Sequence, residues 1–170
     1  MKKFSIHDNW ETPEHVFRDF AQSVSIPRSA TIWDPFYSTG RAGNLLRAAF
    51  PRHTVVHQKK DFFATPLPAP KTVVITNPPY SMNKKVIDEL VSRSVPFAVF
   101  VRSDTMFTSY MQTLFRENPG KFRIYVPKGR THFIDPSTGK QVKGVRFLSL
   151  WITYDIKPRG TSLGAEIHLM

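Results

Sequence analysis

The sequence contains no cysteine among its 170 residues, so it can form neither a disulfide nor a cysteine-ligated metal site. No stretch approaches the roughly 20 consecutive apolar residues that span a bilayer. The segment over 1–5 is basic but lacks the apolar stretch of a secretory signal. These absences predict a cytoplasmic protein without a membrane partner.

Acidic residues are scarce as well, since 13 Asp and Glu are set against 24 Lys and Arg. The resulting net charge of +11 and the isoelectric point near 10.1 favour a polyanionic partner, namely a nucleic acid. A surface that is charged only for solubility is the alternative. The length and the absence of internal repeats predict a single domain over 1–170 and say nothing of its oligomeric state.

The first predicted strand covers 31–34, a short apolar stretch that ends in the carboxylate of Asp34. A tight turn over 35–40 and a helix over 41–50 follow it. The order of strand, acidic residue, small-residue turn and helix is typical of a nucleotide-binding βα unit. The free N–H groups at the start of such a helix can receive a carboxylate or a phosphate.

The tetrapeptide Asn77-Pro78-Pro79-Tyr80 follows a β-branched stretch over 71–76 that predicts a buried strand. The two prolines cannot continue a strand ladder, so the chain must leave the sheet at Asn77. There the Asn77 amide oxygen and the Pro78 carbonyl can together accept both N–H bonds of an exocyclic amino group, while Tyr80 stacks on its ring. A plain proline turn with a surface tyrosine is the alternative.

Apolar periodicity and β-branched runs predict the remaining elements. Helices are expected over 13–23, 82–95 and 108–118, and strands over 53–57, 96–101, 122–126 and 144–154. We expect the last strand to be antiparallel and to lie at the far side of the sheet. Thr12 is the predicted N-cap of the first helix, and Ser81 or Asn83 that of the helix over 82–95. The wholly apolar strand over 96–101 indicates an α/β fold whose sheet is covered on both faces.

The segment over 127–143 combines basic, aromatic and hydroxyl residues, with turn chemistry between Asp135 and Gly139. Because phosphate contacts need cations and base stacking needs aromatic rings, we interpret it as a nucleic-acid-facing loop. A solvated hairpin is the alternative. The candidate contacts are Lys128, Arg130, His132, Lys140 and Lys143. No metal site is expected, since His53 and His57 lie on a predicted strand and need not converge.

Asp34-Pro35-Phe36 with Gly40, followed by Asn77-Pro78-Pro79-Tyr80, resembles the S-adenosylmethionine-dependent amino methyltransferases. Trp10-Glu11-Thr12-Pro13 is similar to the opening of the phage-type DNA N6-adenine methyltransferase (Dam-like) family. The resemblance runs from about Trp10 to the predicted strand that ends at Tyr154. It implies a Rossmann-like class I methyltransferase fold, with a mostly parallel twisted sheet, a C-terminal antiparallel strand and helices on both faces. For a phage-encoded chain, the cytoplasm would be that of the host cell.

The resemblance also implies S-adenosyl-L-methionine as cofactor and methyl transfer to N6 of adenine, with DNA favoured over RNA as the partner. The implied alternatives are methylation of adenine N6 or guanine N2 in RNA, and a nucleic-acid-binding subunit without catalysis. Tyr80 would stack on a base flipped out of its helix. The implied catalytic residues are Asn77, Pro78, Pro79 and Tyr80. The implied cofactor contacts are Trp10, Thr12, Pro13, Asp34, Pro35, Phe36, Ser38, Gly40, Asp61 and Phe62.

Two departures from the family pattern lie on the implied cofactor side. Ser38 stands where the family places the first glycine of its turn, and glycine is the residue that adopts positive φ without strain. Only His57-Gln58-Lys59-Lys60 lies between Val56 and Asp61. A complete fold would place an acidic residue, a helix and a further strand there. The sequence therefore offers no evident partner for the cofactor ribose.

Overall fold

The computed structural model describes residues 10–142 and 145–160. The predicted nucleic-acid contact of Lys143 therefore lies outside the described residues. In chain order the elements are α1 (Glu14–Ser23), β1 (Val24–Ser25), β2 (Thr31–Trp33), α2 (Arg41–Ala49), β3 (Thr54–Val56), β4 (Thr72–Thr76), α3 (Asn83–Ser92), β5 (Phe97–Arg102), α4 (Ser109–Glu117), β6 (Phe122–Tyr125), β7 (Ser149–Tyr154) and β8 (Lys157–Pro158). None of the helices in this part of the chain is long and apolar enough to cross a membrane.

Six of the strands form one sheet in the order β3-β2-β4-β5-β7-β6. Neighbouring strands from β3 to β5 run parallel, and β7 is antiparallel to both β5 and β6. The short strands β1 and β8 pair separately as an antiparallel ribbon. The sheet is thus mostly parallel with one antiparallel strand near the C-terminus, and the predicted Rossmann-like fold class is confirmed.

The central strands are apolar on both sides because helices cover both faces of the sheet. Every residue of β4 is buried, and so are the first five residues of β5. One face packs against α1 and α2 through Phe17, Phe20 and Leu46. The opposite face packs against α3 and α4 through residues such as Leu90 and Met111. This layering leaves the carboxyl edge of the parallel strands open for a site.

Two details of the strands differ from the predictions. β7 begins at Ser149 rather than at 144, and it lies between β5 and β6 rather than at the far side of the sheet. The residues before it have other partners, because Arg130 Nη1 donates to the Val145 carbonyl oxygen (3.0 Å) and Phe147 packs with aromatic rings. These tertiary contacts hold 145–148 outside the ladder, which a local pattern cannot reveal.

The predicted helix caps are also wrong. Pro13 occupies the N-cap position of α1 in an extended conformation, which leaves Thr12 one residue too early to cap. A 3-10 turn over Tyr80–Met82 precedes α3, so Met82 takes its N-cap position. No side-chain cap bond forms at either helix. Ser81 lies within the turn and Asn83 is the first residue of α3, which excludes both from the N-cap position.

The connection between β3 and β4, over 57–71, contains no helix and no strand. Parallel strands are usually joined by a crossover that contains a helix. Here Arg93, which directly follows α3, holds the connection instead, because its guanidinium donates to the carbonyl oxygens of Thr65 (2.9 Å) and Phe62 (3.2 Å). β3 consequently remains a three-residue edge strand, in agreement with the shortened sequence after 56.

Candidate functional site

The residues that follow β2 and β4 meet at one edge of the sheet, because these strands are parallel neighbours. They open into a cleft of about 130 Å³, called here the main cleft. Of the predicted site residues it brings together Trp10, Thr12, Asp34, Phe36, Ser38, Asn77 and Pro79. Its wall also includes Glu11, Tyr37 and Arg41, which the sequence analysis did not assign.

Asp34 is buried where β2 ends, and its carboxylate links three strands. Oδ1 accepts a hydrogen bond from the Thr76 hydroxyl of β4 (2.6 Å) and a longer one from the Phe36 N–H (3.3 Å). Oδ2 lies 3.3 Å from Nδ1 of His57, the residue that follows β3. The same Nδ1 lies 3.1 Å from the Asp34 carbonyl oxygen. Asp34 therefore fixes the relative position of the strand ends that surround the cleft.

His57 is a site residue that the sequence analysis did not identify. Its ring stacks on Tyr37 at 4.9 Å, and its other face lies against α2 at Gly43. Burial by itself lowers the pKa of His57, but the hydrogen bonds and the negative charge of Asp34 outweigh burial and raise the pKa above its ordinary value. A buried His–Asp pair thus stands behind the turn between β2 and α2.

That turn contains two residues with positive φ. Ser38 has φ +45° and Gly40 has φ +88°. A Cβ at Gly40 would lie 2.8 Å from the Tyr37 hydroxyl. Glycine is therefore required there both for the positive φ and for this close approach. At Ser38 the backbone adopts the left-handed conformation although the residue is not glycine.

The segment around Glu11 closes one side of the main cleft. Its backbone exchanges two hydrogen bonds with Ile134, at 2.9 and 3.0 Å. Its carboxylate accepts from the Thr39 hydroxyl and lies 3.4 Å from Nη1 of Arg41, at the start of α2. Local sequence gave no signal for this ion pair, because its members are far apart in the chain. The cleft wall thus carries one carboxylate and one guanidinium.

Asn77 projects into the cleft from the end of β4. Its Nδ2 donates to the Trp10 carbonyl oxygen (3.1 Å), which fixes the orientation of the amide. Its Oδ1 is buried without a hydrogen-bond partner among the described residues, and so is Oγ1 of Thr12 in the same wall. Such buried acceptors cost free energy unless a donor reaches them. Asn77 therefore presents an acceptor that suits an N–H donor in the cleft.

Tyr80 lies beside Asn77 in a group of aromatic rings. Its ring meets that of Phe147 edge-on at 5.6 Å and that of Phe133 at 6.3 Å. Phe147 stacks on Trp10 at 5.8 Å, and the Arg102 guanidinium lies 5.1 Å from the Phe147 ring. Phe147 and Arg102 are further residues that the sequence analysis did not assign to the site. Arg102 meets the site at Phe147, which the predicted strand over 144–154 would place in the sheet.

Several predicted site residues do not line the main cleft: Pro13, Pro35, Gly40, Asp61, Phe62, Pro78 and Tyr80. Asp61 is exposed, and its Oδ1 accepts from the Phe63 N–H (2.9 Å) in its own turn. Phe62 is buried, with its ring 5.5 Å from that of Phe36. Pro35 lines a second cleft of about 300 Å³ together with Gln58 and Lys60, and no residue lines both clefts.

The loop over 127–142 presents its basic residues to solvent. The exposed members are Lys128, Arg130, His132 and Lys140. Thr131 and Phe133 point inward and are buried, so the loop is anchored to the protein. The predicted turn is confirmed, since the Gly139 N–H donates to the Asp135 carbonyl oxygen (2.8 Å). Over the described residues, no cluster of three metal-ligating side chains occurs.

No protein-family model matches the chain, and no curated protein matches it. The fold is similar to that of two methyltransferases of known structure. The 23S rRNA methyltransferase ErmE superposes with a TM-score of 0.54 at 11% identity, over 88% of this chain and 71% of that one. A dimethyladenosine transferase from Plasmodium falciparum superposes with a TM-score of 0.51 at 12% identity, over 88% of this chain and 63% of that one. The chain therefore has the Rossmann-like fold of these methyltransferases.

Proposed function

We propose that this protein is an S-adenosylmethionine-dependent methyltransferase that acts on the N6 amino group of adenine in a nucleic acid. The buried, unpartnered Oδ1 of Asn77 carries the proposal. It lies at the carboxyl end of a parallel strand, where α/β folds bind ligands. The bond from its Nδ2 to the Trp10 carbonyl oxygen already orients the amide, and its Oδ1 is left as the acceptor for an amine.

The Asn77 oxygen and the Pro78 carbonyl oxygen would accept the two N–H bonds of the target amine. Held in this way, the nitrogen directs its lone pair along the line of methyl transfer. S-adenosylmethionine, when bound, supplies the electrophilic methyl group. The new N–C bond forms as the C–S bond breaks, and the amine releases its proton after it gains positive charge. No general base is required before the attack, and Tyr80 would stack on the base.

The residues of the main cleft fit the amino-acid end of the cofactor. Glu11 can accept from an ammonium group, and Arg41 with the start of α2 can bind a carboxylate. The unpartnered Thr12 hydroxyl supplies a further polar group. At about 130 Å³ the main cleft is smaller than the roughly 300 Å³ at which drug-sized ligand pockets begin. It can therefore hold only part of the cofactor.

The nucleoside end requires more room, and the second cleft beside Pro35 offers about 300 Å³. Asp61 remains our proposed partner of the cofactor adenine, for which its carboxylate would exchange the bond from the Phe63 N–H. Phe62 would support that wall from behind Phe36 rather than face the ligand. The polar side chains that line the second cleft, where we expect the ribose, are Gln58, Lys60 and Thr65.

Two observations bear on the nucleic acid. The Trp10-Glu11-Thr12-Pro13 segment resembles the opening of a DNA methyltransferase family. The two structural neighbours are named for ribosomal RNA and for dimethyladenosine, and these names favour an RNA adenine. Both substrates present the same amino group to Asn77, and the net charge of +11 suits either. The proposal therefore covers adenine N6 in either nucleic acid.

Incubation with methyl-labelled S-adenosylmethionine, in parallel with DNA and with RNA, tests the function directly. We expect the label in N6-methyladenine after digestion to nucleosides. Comparison of the DNA incubation with the RNA incubation identifies the substrate. Titration calorimetry with S-adenosylmethionine alone tests the cofactor separately. Absence of label in both arms, together with no binding at millimolar cofactor, would overturn the proposal in favour of a nucleic-acid-binding subunit without catalysis.

A further inference from the structure

Three large apolar side chains are exposed in the described part of the chain, and all three lie at one edge of the sheet. Phe107 is 68% exposed, Val126 is 72% exposed and Leu148 is 49% exposed. Phe107 ends the 3-10 turn after β5, Val126 follows β6, and Leu148 precedes β7. Because β5 and β6 run parallel to β4 and β7 runs antiparallel, these positions share the edge at which Asn77 follows β4.

Leu148 connects this edge to the aromatic group around Tyr80. The Ser103 N–H donates to the Leu148 carbonyl oxygen (2.9 Å), which joins the end of β5 to the start of β7. Arg102, the last residue of β5, lies over the Phe147 ring at 5.1 Å. The Phe147 ring in turn meets the Tyr80 ring at 5.6 Å. Leu148 is thus next in the chain to a ring of the proposed target-base site, and Phe107 and Val126 share its edge of the sheet.

The same edge is strongly basic. Between the end of β6 and the start of β7, the described residues include four Lys and Arg, at 128, 130, 140 and 146, and a single acidic residue, Asp135. Arg130 is exposed and is held near this edge by its bond to the Val145 carbonyl oxygen (3.0 Å). Asp104, which is paired with Arg102, is an acidic neighbour at the end of β5. The surplus of cations indicates a polyanionic occupant.

We propose that Phe107, Val126 and Leu148, together with Arg102 and Arg130, bind unpaired nucleotides that flank the target base. This inference rests on the proposed function and specifies its substrate as a single-stranded or unstacked stretch. Unpaired bases expose faces on which apolar and aromatic side chains pack, while the cations contact the phosphates. A continuous duplex hides those faces, so that an exposed phenylalanine, valine and leucine would gain little from it.

Fluorescence anisotropy without cofactor tests this surface independently of methyl transfer. The probes are one labelled strand of about a dozen nucleotides, long enough for a single-strand site, and the duplex made from it, each as DNA and as RNA. We expect tighter binding of the strand than of the duplex. Phe107→Ala and Leu148→Ser should each weaken binding of the strand about fivefold or more, given the contribution of base stacking.

The same two variants should change binding of the duplex less than twofold, which serves as the control within each variant. Arg52→Ala, which removes an exposed cation near the amino end of β3, should leave the strand preference unchanged. Duplex binding as tight as strand binding would overturn the inference, as would unaltered strand affinity in both apolar variants. Dimers in light scattering that dissociate in Leu148→Ser would instead assign the surface to a second copy of the chain.

The proposed nucleotide-binding surface and the proposed methyltransferase function can be overturned independently of each other. Methylation of adenine without a strand preference would overturn the surface and keep the function. A strand preference that depends on Phe107 and Leu148, without any methyl transfer, would keep the surface and overturn the function.

Discussion

The two ends of the Asn77 side-chain amide have different environments. The nitrogen end is bonded to the Trp10 carbonyl oxygen at 3.1 Å, and the oxygen end is buried without a partner among the described residues. An anchored amide of this kind acts on an amine by position rather than by proton transfer. Replacing it should thus affect the chemical step far more than cofactor binding.

We predict that Asn77→Ala lowers the rate of methyl transfer at least about a hundredfold, which is the scale of removing one preorganised polar group. Cofactor affinity, measured by calorimetry, should change less than about threefold. Asn44→Ala is the matched control, because Asn44 is exposed on α2 and bonds only to Arg47. Near-normal turnover in Asn77→Ala would show that the tetrapeptide is only a turn.

The pairing of His57 with Asp34 makes the stability of the fold depend on pH. Because Asp34 raises the pKa of His57 in the folded protein, the folded state holds the proton more tightly than the unfolded state. The resulting stabilisation is complete below the unfolded value of about 6.5 and is lost as pH rises through the folded-state pKa. We predict that the free energy of unfolding of wild type minus that of His57→Gln decreases across this window, measured by urea unfolding.

The control for this prediction is His53→Gln, because the His53 ring contacts the Ile26 carbonyl oxygen (3.4 Å) rather than a carboxylate. This substitution removes an imidazole without removing the partner of Asp34. A difference for His57→Gln that stays constant, or that grows as pH rises, would contradict the assigned His–Asp interaction. Titration of the His57 ring by NMR provides the direction of the shift directly.

At the scale of elements, the approach of α2 to the residue after β3 depends on one glycine. A Cβ on Gly43 would lie 2.6 Å from Cδ2 of His57 and 2.9 Å from its Cβ. Alanine is usually the better helix residue by about 1 kcal/mol. Here the overpacking should outweigh that gain, and we predict that Gly43→Ala lowers the free energy of unfolding by about 1–3 kcal/mol.

A double-mutant cycle identifies the contact responsible. In a His57→Ala background the space behind Gly43 opens, and the cost of Gly43→Ala should fall below about 0.5 kcal/mol. An equal cost in both backgrounds would show that the clash involves another part of α2. Chemical denaturation of the four proteins supplies the measurement.

The elements differ in how much of them the sequence predicts. β4 and β5 are predictable because burial on both faces demands runs of apolar residues, and Asp34 and Asn77 then meet because parallel neighbours share an edge. β7 was predicted too long, since the bond from Arg130 to Val145 and the packing of Phe147 with aromatic rings engage these residues outside the ladder. Local propensity carries no information about such distant partners.

The site shows the same division. The residues that end strands could be predicted, whereas the partners that orient them could not. Glu11 and Arg41 pair with each other in the cleft wall although they are distant in sequence, and His57 supports Asp34 from behind the cleft. The predicted positions of Asp61 and Phe62 relied on family pattern, and the short connection over 57–71 instead places Phe62 in the core. The roles carried over by resemblance depend on the family's spacing, which this chain does not keep after 56.

For the whole molecule, the distribution of charge decides how a nucleic acid approaches. The net charge is +11, and the loop over 127–142 presents Lys128, Arg130 and Lys140 on the same side of the fold as the cleft wall at Glu11. Each phosphate that such a cation neutralises releases counterions, so binding must weaken as salt is added. The number of contacts can therefore be read from the salt dependence.

We predict that a plot of log affinity against log salt concentration has a steep negative slope, and that Arg130→Ala reduces its magnitude by about 1, the value expected for one lost phosphate contact. Arg52→Ala removes the same charge near the amino end of β3 and should leave the slope unchanged. Anisotropy titrations at several salt concentrations provide both slopes. Equal effects of the two variants would mean that the nucleic acid binds over the whole basic surface, because only a localised contact distinguishes cations at opposite edges of the sheet.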